Sequence, residues 1–153
     1  MNKIKVRRLL IAGLITLVVF IVVEFIVEFV IFDTFIGLGK WVDQLYPPSI
    51  WSISNHVLNI FIAFVNSIML IWMYAALRPM FGVGPKTALI ASGFAFAFIF
   101  SFMINFANLR FYPIRPALIE LFYQLIELPV AILAGAYYYE GGWEEVDQPA
   151  VSN

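Results

Sequence analysis

The chain lacks cysteine and is poor in charge, and both shortages limit what it can be. Of its 153 residues, 12% are charged and 63% are hydrophobic, whereas a soluble domain averages about 25% charged residues. So little charge cannot cover a water-facing surface, and we expect the bilayer to be the solvent. Without cysteine, disulfides, thiolate metal sites and thiol catalysis are excluded. The formal net charge of −1 gives no indication of a nucleic-acid partner.

Four long apolar stretches account for most of the sequence. A membrane-spanning helix needs about 20 mostly apolar residues, and the length of the chain allows one domain. The predicted fold is therefore an all-α membrane protein, a four-transmembrane-helix bundle that forms a single domain over residues 1–139. An acidic, polar tail over residues 140–153 is predicted to be disordered. The predicted spans are residues 9–32, 56–77, 87–109 and 117–139.

The first stretch has the basic start of a secretory signal peptide. Its apolar run is about twice as long as the hydrophobic region of a usual signal peptide, no small-residue cleavage site closes it, and further spans follow. We therefore interpret it as a retained first helix.

Prolines mark the breaks between the later spans. Proline lacks a backbone N–H and disfavours helical geometry at the residue before it. We therefore expect Arg78-Pro79 and Gly82-Val83-Gly84-Pro85 to separate the second helix from the third, with the second helix ending before Pro79. Pro113 and Pro116 are expected to separate the third helix from the fourth.

Basic residues are distributed unequally between the two predicted sides. Because cytoplasmic loops are rich in lysine and arginine, the side that contains more of these residues is predicted to be cytoplasmic. Both termini then lie in the cytoplasm, and the chain is predicted to be a multi-pass protein of the bacterial cytoplasmic (inner) membrane. The richer side has Lys3, Lys5, Arg7, Arg8, Arg78 and Lys86, and the poorer side has Lys40, Arg110 and Arg115.

The first outer loop and the aromatic residues give two further expectations. In residues 33–55, apolar side chains from Phe35 to Leu45 recur at helical spacing. The loop therefore forms either a short amphipathic helix at the interface or an irregular segment. Tryptophan and tyrosine favour membrane interfaces. The predicted outer belt is Trp41, Tyr46, Trp51 and Tyr112, and the inner belt is Trp72, Tyr74, Tyr137, Tyr138, Tyr139 and Trp143.

Each predicted span carries one polar stripe. Side chains three or four residues apart share a face of a helix, and alternate spans run in opposite directions. Most of these residues therefore fall in the outer half of the membrane, and Asn66 and Glu127 fall near its middle. We expect one shared polar pocket, with Arg110 and Arg115 at its mouth as counter-ions for Glu120. The stripes are Glu24 and Glu28; His56, Asn59 and Asn66; Ser101, Asn105 and Asn108; and Glu120, Gln124 and Glu127.

The chemistry of this pocket leaves several interpretations open. An ionised residue at a helix centre costs about 2.5–3.5 kcal/mol, so the glutamates are expected to face the bundle and to be protonated or paired. Their oxygens suit a proton, a hard cation or a small polar ligand, and the same residues suit an interhelical hydrogen-bond network. His56 is either an interfacial hydrogen-bonder or an axial ligand for haem or chlorophyll. A di-metal site lacks its Glu-x-x-His pair, and no cofactor is implied.

Small residues recur at a spacing of four in the last two spans. The pairs are Ala91 with Ala95, and Ala131 with Gly135. Such pairs let helix backbones approach closely in a membrane. The sequence therefore predicts a tightly packed bundle.

Several segments together resemble one protein family. Residues 74–88 read YAALRPMFGVGPKTA, Glu24-Phe25 lies in the first span, and Glu127-Leu128-Pro129 precedes Ala134-Gly135-Ala136 in the fourth. This pattern resembles a family of small uncharacterised bacterial four-transmembrane-helix membrane proteins, and the resemblance implies the same topology. Glu28 departs from the pattern, where asparagine is expected. The resemblance implies no function.

Two classes of function are compatible with these observations. The first is a non-enzymatic accessory or structural subunit of a membrane assembly, which contacts lipid and other membrane subunits or copies of itself. The second is a small transporter, channel or ligand-binding protein that uses the polar pocket. An enzyme ranks third, because no arrangement of a nucleophile and a base is visible.

The predicted topology places Ser49 and Val151 on opposite sides of the membrane. Because the chain has no cysteine of its own, a single cysteine at either position is the only thiol available. An impermeant thiol reagent added outside intact cells should label Ser49→Cys and leave Val151→Cys unlabelled until the membrane is opened. Labelling of both from outside contradicts the four-span topology.

Overall fold

The computed structural model describes residues 6–27, 52–111 and 113–143, and these form four helices. Each helix is long and apolar enough to cross a membrane, so the protein is a multi-pass, all-α membrane protein and the predicted four-helix class is confirmed. The predicted interfacial helix lies outside the described residues, as do residues 144–153 of the predicted tail. Glu140, predicted to begin that tail, is instead the last residue of the fourth helix. The helices are α1 (Val6–Phe25), α2 (Ile53–Phe81), α3 (Pro85–Asn108) and α4 (Ile114–Glu140).

The expectation that α2 ends before Pro79 is wrong. The helix includes Pro79, continues to Phe81 and ends at Gly82, whose φ of 87° is readily adopted only by glycine. A proline this close to a helix end removes one hydrogen bond, the one its N–H would donate to the carbonyl of Ala75. Pro129 likewise lies inside α4. Proline thus marks only some of the breaks.

The other prolines among the described residues lie where a helix begins. Pro85 occupies the first turn of α3, Pro113 is the N-cap of α4, and Pro116 lies in the first turn of α4. The first N–H groups of a helix have no partner within it, so a missing N–H costs little there. The predicted break between the third and fourth spans is therefore confirmed.

The closest packing joins α1 to α4. Ala12, Thr16 and Ala131 are fully buried, and a Cβ built on Gly135 would overlap Thr16 Oγ1 and lie 3.0 Å from the Ala12 carbonyl oxygen. The Thr16 hydroxyl donates to that same carbonyl at 2.9 Å, so it is satisfied within its own helix. A second tight contact sets Gly13 of α1 against Ile68 of α2. The predicted close approach through small residues is confirmed for α4.

Packing differs between the two ends of the bundle. We call the end formed by Val6, Phe81, Pro85 and Glu140 the closed end, because the buried small residues lie towards it. The opposite end is the open end, where α4 alone of the described helices buries side chains, among them Ala117 and Leu121. Of the described residues in ranges 18–27, 53–66 and 96–111, none is buried.

Gly135 should tolerate no side chain. Gly135→Ala forces α1 and α4 apart and should destabilise the protein by about 1–3 kcal/mol, measured as a lower denaturation midpoint in detergent. Gly93→Ala is the matched control, because a Cβ added at Gly93 would meet no atom within 4 Å. That change should be neutral or stabilise α3 slightly through helix propensity. Equal effects of the two changes would contradict close packing at Gly135.

Candidate functional site

A cavity of about 690 Å³ lies near the middle of the bundle. Its innermost lining consists of the buried residues Ser67, Ala95 and Leu128, contributed by α2, α3 and α4. Large side chains that are about half exposed or more form its rim. Because the rim belongs to α2 and α3 at mid-span, the mouth opens between these helices toward the hydrocarbon core. The rim residues are Met69, Trp72, Phe94 and Phe98.

Three polar residues line this mostly apolar cavity, namely Asn66, Ser67 and Gln124. Ser67 is buried, whereas Asn66 is exposed and lies on the side of α2 that lines the cavity. The side-chain oxygen of Gln124 is shielded from solvent, and no described residue gives it a hydrogen bond. Of the described residues that line the cavity, none is charged. The site therefore combines a large apolar volume with a small neutral polar patch.

The structure brings two members of the predicted polar pocket, Asn66 and Gln124, to this cavity. Glu127 lies on the next turn of α4 and is fully buried, which confirms its predicted burial. Glu120 is half-buried, while Glu28 lies outside the described residues. The single shared pocket stays a prediction. The remaining predicted residues are exposed on the described bundle: Glu24, His56, Asn59, Asn105, Asn108, Arg110 and Arg115.

Metal ligation has no support from the described residues. Among them, no three histidine, aspartate or glutamate side chains are close enough to hold one ion. His56 is exposed on the first turns of α2.

An ion pair at the closed end was not anticipated from the sequence. Arg78 of α2 donates to both carboxylate oxygens of Glu140 of α4 at 3.1 Å, and both side chains are largely buried. The guanidinium also lies 5.6 Å from the ring centre of Tyr139, within the range of a cation–π interaction. One available signal was that Arg78 and Glu140 have opposite charges and both flank spans on the same predicted side.

Two aromatic residues assigned to the inner belt belong instead to the core. Tyr74 is fully buried and Tyr139 nearly so, and their rings meet edge to face with centroids 6.4 Å apart. The Tyr74 hydroxyl accepts a hydrogen bond from the Gly84 N–H at 3.3 Å. Tyrosines at a helix end can therefore close a bundle from within, whereas Trp72 and Tyr137 are exposed as a belt requires.

Comparisons with known proteins assign no family. No protein-family model, no curated protein and no solved structure matches the chain. The resemblance of residues 74–88 to small bacterial four-helix proteins therefore stays a prediction. The function is argued from the geometry of the bundle.

Arg78 and Glu140 should be energetically coupled. Arg78→Met or Glu140→Gln alone leaves its partner without a charged hydrogen bond, and each should cost about 1–3 kcal/mol of unfolding free energy. The double variant should cost less than the sum of the two. Exposed Lys86 provides the control, since Lys86→Met should change stability by less than about 0.5 kcal/mol. Additive single effects would show that the pair contributes no coupling.

Proposed function

We propose that this protein is a non-enzymatic accessory or structural subunit of a membrane assembly, and that helices of a partner protein cover its open end. The observation that carries the proposal is the lack of internal burial there. None of the described residues from 53 to 66 in α2, or from 96 to 108 in α3, is buried. In about half of each of these two helices, therefore, no described side chain is buried in the bundle.

The polar residues of this surface favour a protein partner over lipid. Asn59 of α2 and Asn105 and Asn108 of α3 are all exposed at the open end. An amide that faces hydrocarbon has no hydrogen-bond partner, and its transfer from water into such a medium costs several kcal/mol. Asparagine side chains do form hydrogen bonds between membrane helices. A partner helix with polar side chains at the same depth satisfies them.

The phenylalanines of the open end do not discriminate by themselves. Phe61, Phe98 and Phe102 are more than half exposed, and an exposed phenylalanine suits a lipid tail as well as an apolar protein surface. The support for a protein partner therefore comes from the asparagines and not from the phenylalanines.

The charge distribution supports a cytoplasmic closed end. Arg7, Arg8, Arg78 and Lys86 lie on helix ends or turns at the closed end, while Arg110 and Arg115 lie at the open end. By the tendency of basic residues to remain in the cytoplasm, the open end faces outward. We accordingly place the protein in the bacterial cytoplasmic membrane with both termini inside, and the partner covers the outer half.

Site-specific photocrosslinking in native membranes tests the subunit proposal. A photoreactive amino acid at Asn105 or Phe102 should crosslink to one discrete membrane protein. Phe122, which is 69% exposed on the open-end half of α4, provides the matched control and should give lipid adducts only. The combined change Asn59→Leu and Asn105→Leu should weaken the Phe102 crosslink by about threefold or more, because each hydrogen bond between membrane helices contributes about 0.6 kcal/mol.

Two outcomes contradict the proposal. Lipid adducts alone at all three positions would show that the open end faces the bilayer. If the only protein adducts are to a second copy of this chain, the protein associates with itself and is not an accessory subunit of another protein.

A further inference from the structure

We propose that the central cavity binds an uncharged amphiphile from the lipid phase, namely an apolar chain or ring system that carries a hydroxyl group. The proposal does not rest on the subunit role, because it is argued from the cavity alone, whose lining reaches Asn66 of α2 and Phe98 of α3 in the unburied stretches. The proposal is argued from three observations: the size of the cavity, the position of its mouth and the polar patch inside it.

The volume and lining suit a small apolar molecule. Ligand pockets typically measure about 300–1,000 Å³ and are lined mostly by apolar and aromatic side chains, and the cavity of about 690 Å³ fits this range. Met69 and Met73 line it on α2, and Phe94 and Phe98 on α3. Methionine side chains adapt to irregular partners and contact aromatic rings favourably. The walls therefore accept an apolar body without requiring one particular shape.

The mouth determines where the ligand comes from. Met69 and Trp72 are 58% and 51% exposed, and Phe94 and Phe98 are 58% and 73% exposed. Met69 and Phe98 lie near the middle of the predicted membrane spans and Trp72 and Phe94 lie nearer the closed end, so the opening at Met69 and Phe98 faces lipid tails. A molecule must be dissolved in the bilayer to reach the cavity.

The polar patch selects a hydroxyl. Gln124 Oε1 is buried with no hydrogen bond from a described residue, and Asn66 and Ser67 line the same cavity. A buried polar atom without a hydrogen bond costs about 1–3 kcal/mol. Because Gln124 Oε1 has almost no accessible surface, a hydroxyl, which both donates and accepts, first meets the amide of Asn66, which is exposed and lines the cavity.

The lack of charge excludes ionised headgroups. Of the described residues that line the cavity, none is basic or acidic. Glu127 lies between Gln124 and Leu128 in sequence, and it is buried in the bundle outside the cavity lining. An anionic phosphate at this depth would lack a cationic partner, and an unpaired charge at the membrane centre costs several kcal/mol. The ligand is therefore a neutral alcohol and not a phospholipid headgroup.

The experiment uses the full chain in phosphatidylcholine vesicles with two photoreactive probes. One is hexadecanol and the other is hexadecyl phosphate, each carrying a diazirine on its chain, and labelled residues are identified by mass spectrometry. Hexadecanol should label Met69, Met73 and Phe98, and excess unlabelled hexadecanol should compete. Hexadecyl phosphate should label these residues at least about tenfold less, because its charge is not matched in the cavity.

Two near-isosteric variants test the polar patch. Gln124→Met and Asn66→Leu should each lower hexadecanol labelling by about threefold to tenfold, the value expected for one lost hydrogen bond. Asn66 is exposed, so its replacement keeps the fold even if Gln124→Met does not. Leu125→Met is the control, because Leu125 lies on α4, is 51% exposed and does not line the cavity.

Three results would overturn the proposal. Unsaturable labelling, or equal labelling by the phosphate probe, would show ordinary lipid contact. Labelling that is unchanged in both Gln124→Met and Asn66→Leu would show that the polar patch binds nothing. In a third outcome, hexadecanol labels Met69, Met73 and Phe98 in vesicles but not in native membranes. That result would show that another protein fills the cavity.

Discussion

The contact between Gly135 of α4 and the Ala12–Thr16 turn of α1 sets the geometry of the whole bundle. Lipid tails are as apolar as leucine, so membrane helices associate mainly through close packing and hydrogen bonds. The contact at Gly135 leaves no room for a Cβ, and the Thr16 hydroxyl is already satisfied by its own helix. Once α1 and α4 are this close, α2 packs on α1 through Gly13, and α3 packs along α4.

Side-chain size then separates the two ends. Towards the closed end α3 presents Ala88, Ala91 and Ala95, all buried. Towards the open end it presents phenylalanines, which contact one another along the helix. The ring centroids of Phe102 and Phe106, for example, are 4.6 Å apart. Rings that pack along one helix hold its neighbour at a distance. The cavity lies where the alanine half of α3 gives way to the phenylalanine half.

Run length and periodicity made the four spans predictable, because about 20 apolar residues permit little besides a membrane helix. The small-residue pairs likewise predicted close approach at Gly135. Helix ends were less predictable at Pro79, because a proline costs only one hydrogen bond near a C-terminus. Periodicity assigned Glu24 and Asn66 to faces of their helices, but not the rotation or spacing of those helices. It therefore did not show that Asn66 reaches the cavity while Glu24 is exposed.

The Arg78–Glu140 pair explains how a gap between α2 and α3 persists at mid-span. It links the end of α2 to the end of α4, and the Tyr74–Gly84 hydrogen bond ties α2 to the turn before α3. Both restraints act close to the cavity, because Tyr74 directly follows the cavity residue Met73 and Arg78 lies about one and a half helical turns further along α2. With α2 anchored at this end and unburied from residue 53 to residue 66 at the other, the proposed apolar occupant would contribute to the spacing between α2 and α3 as well as bind there.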